Sequence, residues 1–246
     1  MYLFSSGTAR GGTGLPVNIL GAHPKISISQ DPFLPVWKYY RTDLLSQRNL
    51  CNIGFAKPLD DYYYCPNKVL YLSSIQSSNL SDVTVSNLSS IKDISLPRLT
   101  LSSANLVEYL DSMNGNNYQS LVQSCLDIIS KGWNNNNAEI IGFNDNWSIE
   151  FFPALARAFP YSKFIIYIRD LRASLASHIK LIQKNPDTKA SIALMMSFAR
   201  SWRKHIALAI NYLNNPLFEG RIKIVKYEDL VTSPTTQVSQ LCDFLG

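Results

Sequence analysis

Short apolar runs alternate with longer amphipathic segments along most of this chain. The runs predict strands near 1–5, 26–30, 139–143, 163–168 and 222–227. The spacing of apolar positions between and after them predicts helices over 13–21, 148–158, 172–184, 191–213 and 236–245. Alternating strands and helices build a parallel sheet, because each helix carries the chain back to the start of the next strand. We therefore expect a single α/β domain over 1–246, with helices on both faces of the sheet.

One stretch, residues 60–118, departs from this alternation. It is rich in Ser, Asn and Leu with weak periodicity, and Pro97 and the run Asn114-Gly115-Asn116-Asn117 interrupt it further. We interpret it as an insertion over the functional site, part helix and part loop. A flexible surface excursion is the alternative.

Composition narrows the class of protein. At 246 residues, with 46% hydrophobic and 17% charged residues, the chain resembles an ordinary globular protein. Its net charge of +5 suits an anionic ligand, but no long basic run predicts nucleic-acid binding. No stretch approaches the roughly 18 apolar residues of a membrane span. The spacing of the four cysteines, Cys51, Cys65, Cys125 and Cys242, is not that of metal ligands, so we expect free thiols and no metal site. The chain starts in the first predicted strand without a signal peptide, so we expect a cytoplasmic location.

The first predicted strand runs into a glycine-rich turn. The turn reads Gly7-Thr8-Ala9-Arg10-Gly11-Gly12-Thr13-Gly14, and an apolar segment of helical character follows. This order is typical of a phosphate-binding loop, because backbone N–H groups and a helix N-terminus can surround an anion. The loops that bind ATP and GTP end in Gly-Lys-Ser/Thr, whereas no lysine separates Gly12 from Thr13 here. The loop therefore predicts another phosphate-bearing ligand; a tight surface turn is the alternative.

A second candidate anion site follows the fourth predicted strand. The apolar run Phe164–Ile168 is typical of a buried parallel strand, and Arg169 stands at its end. Ser177 lies eight residues later, about two helical turns on. Ligands of open α/β sheets bind at the carboxyl ends of strands, so Arg169 and Ser177 can converge on one anion.

These segments resemble the sulfotransferases that use 3′-phosphoadenosine-5′-phosphosulfate (PAPS). In that family one loop, here Arg10–Gly14, holds the 5′-phosphosulfate, and a second element, here Arg169–Ser177, holds the 3′-phosphate. Tyr227–Leu230 with Phe244–Gly246 matches a third signature, and His23-Pro24 matches a pair that follows the first helix in many members. The four matches occur in family order from residue 2 to 246 and are closest to the Golgi-type, tyrosylprotein and bacterial members.

The resemblance implies a P-loop-type nucleotide-binding fold and transfer of a sulfuryl group to an acceptor hydroxyl or amine, with no metal required. The acceptor stays open: a small molecule, a carbohydrate, a lipid or a protein hydroxyl. The residues that the resemblance assigns to PAPS are Gly7, Arg10, Gly11, Gly12, Thr13, Gly14, Arg169, Ser177 and Tyr227.

Three residues are catalytic candidates by the same resemblance. Arg10 would stabilise charge on the leaving 5′-phosphate. Asp31, at the end of the second predicted strand, falls where related enzymes carry a glutamate base, and His23 is the rival base. Asn144 stands where members often have a lysine that stabilises the sulfuryl group.

The chain also departs from the family pattern. Gly11 replaces a serine, Gly14 a threonine, and Leu171 a proline or glycine. Two other functions therefore stay open: a P-loop kinase-like phosphotransferase, and a degenerate, non-catalytic nucleotide-binding module.

Overall fold

A five-stranded parallel sheet forms the centre of the protein. The computed structural model describes residues 1–50, 67–146, 148–184 and 191–246. The strands are β1 (Tyr2–Gly7), β2 (Ile26–Gln30), β3 (Ile140–Asn144), β4 (Lys163–Ile168) and β5 (Ile222–Lys226). Their order is β2-β3-β1-β4-β5, and every neighbouring pair is parallel. The predicted strands and fold class are confirmed, except that Tyr227 begins a helix rather than ending the last strand.

Helices connect the strands and account for most of the remaining described chain. They are α1 (Gly14–Gly21), α2 (Leu34–Gln47), α3 (Lys68–Gln76), α4 (Leu88–Ser102), α5 (Tyr118–Trp133), α6 (Phe152–Ala158), α7 (Leu171–Ile182), α8 (Ile192–Leu213), α9 (Tyr227–Thr232) and α10 (Pro234–Leu245). Short 3₁₀ segments lie at Leu80–Asp82, Ala104–Ser112, Ser148–Phe151 and Pro216–Phe218. The predicted helix over 148–158 is thus a 3₁₀ segment followed by α6, whereas α2 and α5 were not predicted.

The two faces of the sheet carry separate hydrophobic cores. Side chains alternate along a strand, so Leu3 and Phe4 are both fully buried but on opposite faces. Residues of α1 and α10 cover the Leu3 face. Residues of α2, α5, α6 and α8 cover the Phe4 face, which holds the larger core. The expected helices on both faces are therefore present.

The described part of the 60–118 segment packs into the larger core. Its residues Leu80, Ile91 and Leu106 are fully buried there. Two hydrogen bonds tie it to the end of β2: Arg98 Nε donates to the backbone oxygen of Asp31 at 2.9 Å, and Ser103 Oγ donates to that of Gln30 at 3.3 Å. Residues 60–66 lie outside the described residues. The segment from residue 67 onward is thus packed against the core, unlike the flexible surface excursion of the alternative interpretation.

Two observations bear on the expected surroundings of the chain. None of the helices within residues 1–50, 67–146, 148–184 and 191–246 combines the length and the hydrophobicity that a bilayer-spanning helix requires. Cys125 is a buried free thiol in α5 and Cys242 an exposed one in α10. Cys51 and Cys65 lie outside the described residues.

Candidate active site

A cavity of about 480 Å³ opens at the carboxyl edge of the sheet. Residues that follow all five strands line it: Arg10 after β1, Asp31 after β2, Asn146 after β3, Arg169 after β4 and Tyr227 after β5. The central strand β1 has β3 on one side and β4 on the other. The cavity therefore lies where the direction of strand succession reverses, the usual ligand site of open parallel sheets.

The glycine loop after β1 leaves backbone donors free at the cavity. Arg10 and Gly12 both have left-handed backbone, with φ of 59° and 81°. A side chain at Gly12 would overlap the ring of Tyr227. The N–H groups of Gly12, Thr13 and Gly14, which lead into α1, have no hydrogen-bond partner within the described residues. Free donors at a helix N-terminus are the donor set that an anion needs.

Gly7 and Gly11, also assigned to PAPS by the resemblance, do not line the cavity. A side chain at Gly7 would overlap the methyl group of Thr13, and one at Gly11 would lie 2.8 Å from the backbone oxygen of Thr8. A side chain at either position would therefore collide with the loop itself.

One end of the cavity is cationic. Arg10 Nε donates to Ser177 Oγ at 3.0 Å, and Arg169 Nη1 donates to the backbone oxygen of Arg10 at 3.2 Å. The Arg169 guanidinium also lies over the ring of Tyr227, 4.4 Å from its centroid. Its Nε is buried without a partner in the described part of the chain. The residues predicted to meet, Arg169 and Ser177, line the same cavity together with Arg10.

The opposite end carries a carboxylate. Asp31 Oδ1 accepts from the backbone N–H of Asn146 at 2.7 Å, while Oδ2 accepts from Asn146 Nδ2 at 2.7 Å and Gln30 Nε2 at 2.8 Å. Burial raises the pKa of Asp31, although these hydrogen bonds and the charge of Arg98 act to lower it. The net shift brings Asp31 closer to the range in which a carboxylate can act as a base.

A second carboxylate, which sequence reasoning missed, lies behind the first. Asp145 is fully buried. Its Oδ1 accepts from the backbone N–H of Phe33 at 3.2 Å, and its Oδ2 from Trp37 Nε1 at 2.9 Å. Burial, and then the charge of Asp31, raise the pKa of Asp145 to about 8.

Two predicted catalytic positions lie away from the cavity lining. Asn144 is fully buried; Ser5 Oγ donates to its Oδ1 at 3.2 Å, and its Nδ2 has no partner among the described residues. Asn146, two residues later, lines the cavity instead. His23 is exposed beyond the far end of α1. A helix of that length separates it from the glycine loop by about 12 Å, too far for direct proton transfer at the cavity.

Gln30 and Asn146 link the two ends and were not predicted. Gln30 Nε2 donates to Thr13 Oγ1 at 3.3 Å, and Thr13 Oγ1 donates to Asn146 Oδ1 at 3.4 Å. The signal for both was their place at the carboxyl end of a predicted strand. Trp147, which follows Asn146 in the sequence, lies outside the described residues.

Acidic, histidine and cysteine side chains do not gather into a metal-binding group in the described ranges. No set of three or more of them is placed to hold an ion there.

Comparisons with known proteins agree with the resemblance. The chain matches the model of the Sulfotransferase family over residues 3–246. A Caenorhabditis briggsae protein described as a "putative protein-tyrosine sulfotransferase" is 30% identical over 101 residues, which are 41% of this chain and 35% of that protein. The match thus spans about a third of that curated relative's length.

Two solved structures are similar over the whole chain. One is a sulfotransferase domain from the curacin biosynthetic pathway, with 20% identity, a TM-score of 0.48, and coverage of 100% of this chain and 73% of that one. The other is a sulfotransferase domain from the Synechococcus PCC 7002 olefin synthase, with 15% identity, a TM-score of 0.46, and coverage of 100% and 72%.

Proposed function

Because the chain belongs to the sulfotransferase family, whose model matches residues 3–246, we propose that it transfers a sulfuryl group from PAPS to an acceptor hydroxyl or amine. The observation that carries the proposal is the cationic end of the cavity, where Arg10, Arg169 and Ser177 lie together. Beside them are the N–H groups of the glycine loop, which have no partner in the part of the chain that the structure describes. This donor set suits a ligand with two separate phosphate groups.

The two halves of that donor set have different roles in the proposal. Arg169, whose Nε has no partner within the described residues, and Ser177 hold the 3′-phosphate. The loop N–H groups and Arg10 hold the 5′ end. When bound, PAPS supplies the sulfuryl group and a phosphate leaving group. Arg10 stabilises the negative charge that develops on the leaving oxygen, as fixed donors do in phosphoryl transfer.

Asp31 takes the proton of the acceptor in this proposal. A carboxylate has about four lone-pair positions, and three hydrogen bonds use those of Asp31, two on Oδ2 and one on Oδ1. As far as the described residues go, one position on Oδ1 is therefore open for an acceptor proton. The raised pKa increases the basicity of the carboxylate.

The acceptor class is the open part of the proposal. The name of the Caenorhabditis briggsae relative makes a protein tyrosine the first acceptor to test, followed by a carbohydrate, a lipid and a small molecule. The missing lysine between Gly12 and Thr13 weighs against a kinase-like phosphotransferase. A non-catalytic module would bind the nucleotide without turnover on any of these acceptors.

The experiment that tests the proposal compares two nucleotides by calorimetry. The protein should bind 3′,5′-diphosphoadenosine (PAP) far more tightly than AMP, because each charge-assisted hydrogen bond to the 3′-phosphate contributes about 1.5–3 kcal/mol. Arg169→Gln should weaken PAP binding and leave AMP binding unchanged. Arg172→Gln is the matched control, since Arg172 is exposed and pairs with Asp170 at 3.1 Å outside the cavity lining. Equal affinity of the wild type for PAP and AMP would remove the proposal.

A further inference from the structure

We infer that Asp145 is a positioning residue that holds Asp31 ready for proton transfer, by fixing the turn between β2 and α2. This inference rests on the proposed function, because it takes Asp31 as the base. Asp145 does not line the cavity and has no direct part in the chemistry.

Two tripeptides interlock at the carboxyl edge of the sheet. The first is 31–33 after β2, and the second is 144–146 at the end of β3. The backbone N–H of Asp31 donates to the Asn144 oxygen at 2.5 Å, and that of Phe33 donates to Asp145 Oδ1 at 3.2 Å. In return, Asn146 donates to both carboxylate oxygens of Asp31, each at 2.7 Å. Each tripeptide thus fixes the other through an aspartate side chain.

The turn at Asp31 needs such support. Asp31 has left-handed backbone, with φ of 48°, a conformation that is unfavourable for a residue with a side chain. The surrounding structure must over-determine such a residue for it to persist. Asp145 contributes on the side away from the cavity, where it holds both Phe33 and the first turns of α2 through Trp37.

The chemistry of the Asp145 contacts requires two acceptors. Both partners, the Phe33 N–H and the Trp37 Nε1–H, are donors. A carboxyl group offers two acceptor oxygens, even when one of them carries a proton. Asparagine offers only one, so its NH₂ group would face a donor in a fully buried position. Asp145→Asn should therefore push the 31–33 turn or α2 away with almost no change in side-chain volume.

The first measurement is turnover and nucleotide binding of Asp145→Asn. The assay follows the release of PAP from PAPS. The acceptor is the one of four that gives the highest wild-type rate: a simple phenol, a neutral oligosaccharide, a tyrosine peptide or water. We expect kcat to fall by up to about 100-fold, as small misplacements of a reacting group do. PAP affinity should be unchanged, because the cationic end of the cavity is untouched.

A second variant separates positioning from loss of stability. Adding Trp37→Phe removes one of the two donors, so the introduced amide can give its oxygen to Phe33 and leave its NH₂ facing no donor. Asp145→Asn with Trp37→Phe should regain kcat relative to Asp145→Asn alone. Asp43→Asn is the matched control: Asp43 is also buried, on α2, and accepts from Ser86 and Tyr118 away from the cavity. It should lower stability but leave kcat unchanged.

A third measurement does not depend on turnover. Hydrogen exchange of the Asn146 backbone amide, which donates to Asp31, should quicken in Asp145→Asn, recover with Trp37→Phe added, and stay slow in Asp43→Asn. The inference is overturned if Asp145→Asn keeps wild-type kcat and amide exchange, or if the double variant is worse than Asp145→Asn in both. Failure of the proposed function has a different signature: the wild type would bind AMP and PAP equally, whatever the exchange data show.

Discussion

Replacing Gly12 by alanine should damage both the fold and nucleotide binding, and the two effects can be separated. A Cβ at Gly12 would lie 2.6 Å from Cε2 and 3.0 Å from Cγ of Tyr227. The Tyr227 ring must therefore move, and the Arg169 guanidinium that lies over it, 4.4 Å from the centroid, loses its support.

The magnitude follows from two costs. Left-handed backbone, with φ of 81° at Gly12, costs a residue with a side chain about 1–2 kcal/mol. Overpacking against the ring adds about 1–3 kcal/mol. Loss of the cation–π contact is worth about 0.5–2 kcal/mol, which corresponds to a roughly 2- to 30-fold weaker PAP complex if it carries through to binding.

Gly220→Ala is the matched control. Gly220 also has left-handed backbone, with φ of 66°, but a side chain there would meet no atom of the described residues within 4 Å. Urea denaturation should show Gly12→Ala to be less stable than Gly220→Ala, and calorimetry should show weaker PAP binding only for Gly12→Ala. If the two variants lose equal stability and both bind PAP as the wild type does, the contact between the glycine loop and Tyr227 has no role in the site.

Three further predictions concern acid–base chemistry and metals. Asp31→Asn should lower turnover by about 10²- to 10⁴-fold with PAP affinity nearly unchanged, and a variant with full turnover would exclude Asp31 as the base. Wild-type turnover should rise with pH through a pKa above that of an ordinary aspartate. Turnover should persist in EDTA, because the proposed mechanism takes the cation at the leaving oxygen from Arg10, and dependence on added magnesium would favour a phosphotransferase instead. Because the pKa of Asp145 is raised to about 8, from about 3.9 in unfolded chains, the folded state binds more protons between these values. The free energy of unfolding of the wild type, measured by urea denaturation, should thus fall relative to that of Asp145→Asn as the pH rises through this window, and a relative increase would contradict the shift.

The sheet was predictable because its strands are separate apolar runs, whereas the two long helices α2 and α5 were missed for different reasons. In α2 the buried residues include Arg41 and Asp43 as well as Trp37, so the segment has no clean apolar stripe. In α5 the stripe was present, and Asn117 and Ser120 form a capping box at its start. That helix could have been found from the sequence.

Several residues of the cavity lining were predictable because the carboxyl ends of parallel strands meet at one edge. Arg10, Asp31 and Arg169 each follow an apolar run, and all three line the cavity. The end of β3 was harder, because neighbouring polar residues there point in different directions: Asn144 is buried, while Asn146 lines the cavity. The burial of Asp145 depends on Trp37, 108 positions away in sequence, and no local pattern encodes that contact.

Residues that follow all five strands line the cavity, and this has a consequence for folding. Asp31 follows one edge strand of the sheet and Tyr227 the other, so the cavity is complete only when every strand has paired. Such long-range pairing comes late in folding, because distant segments must first close large loops. A ligand that contacts both ends then stabilises only the fully assembled sheet. Nucleotide and acceptor bound together should therefore slow amide exchange in β2 and β5 together, which makes their joint binding a direct measure of how much of a sample is completely folded.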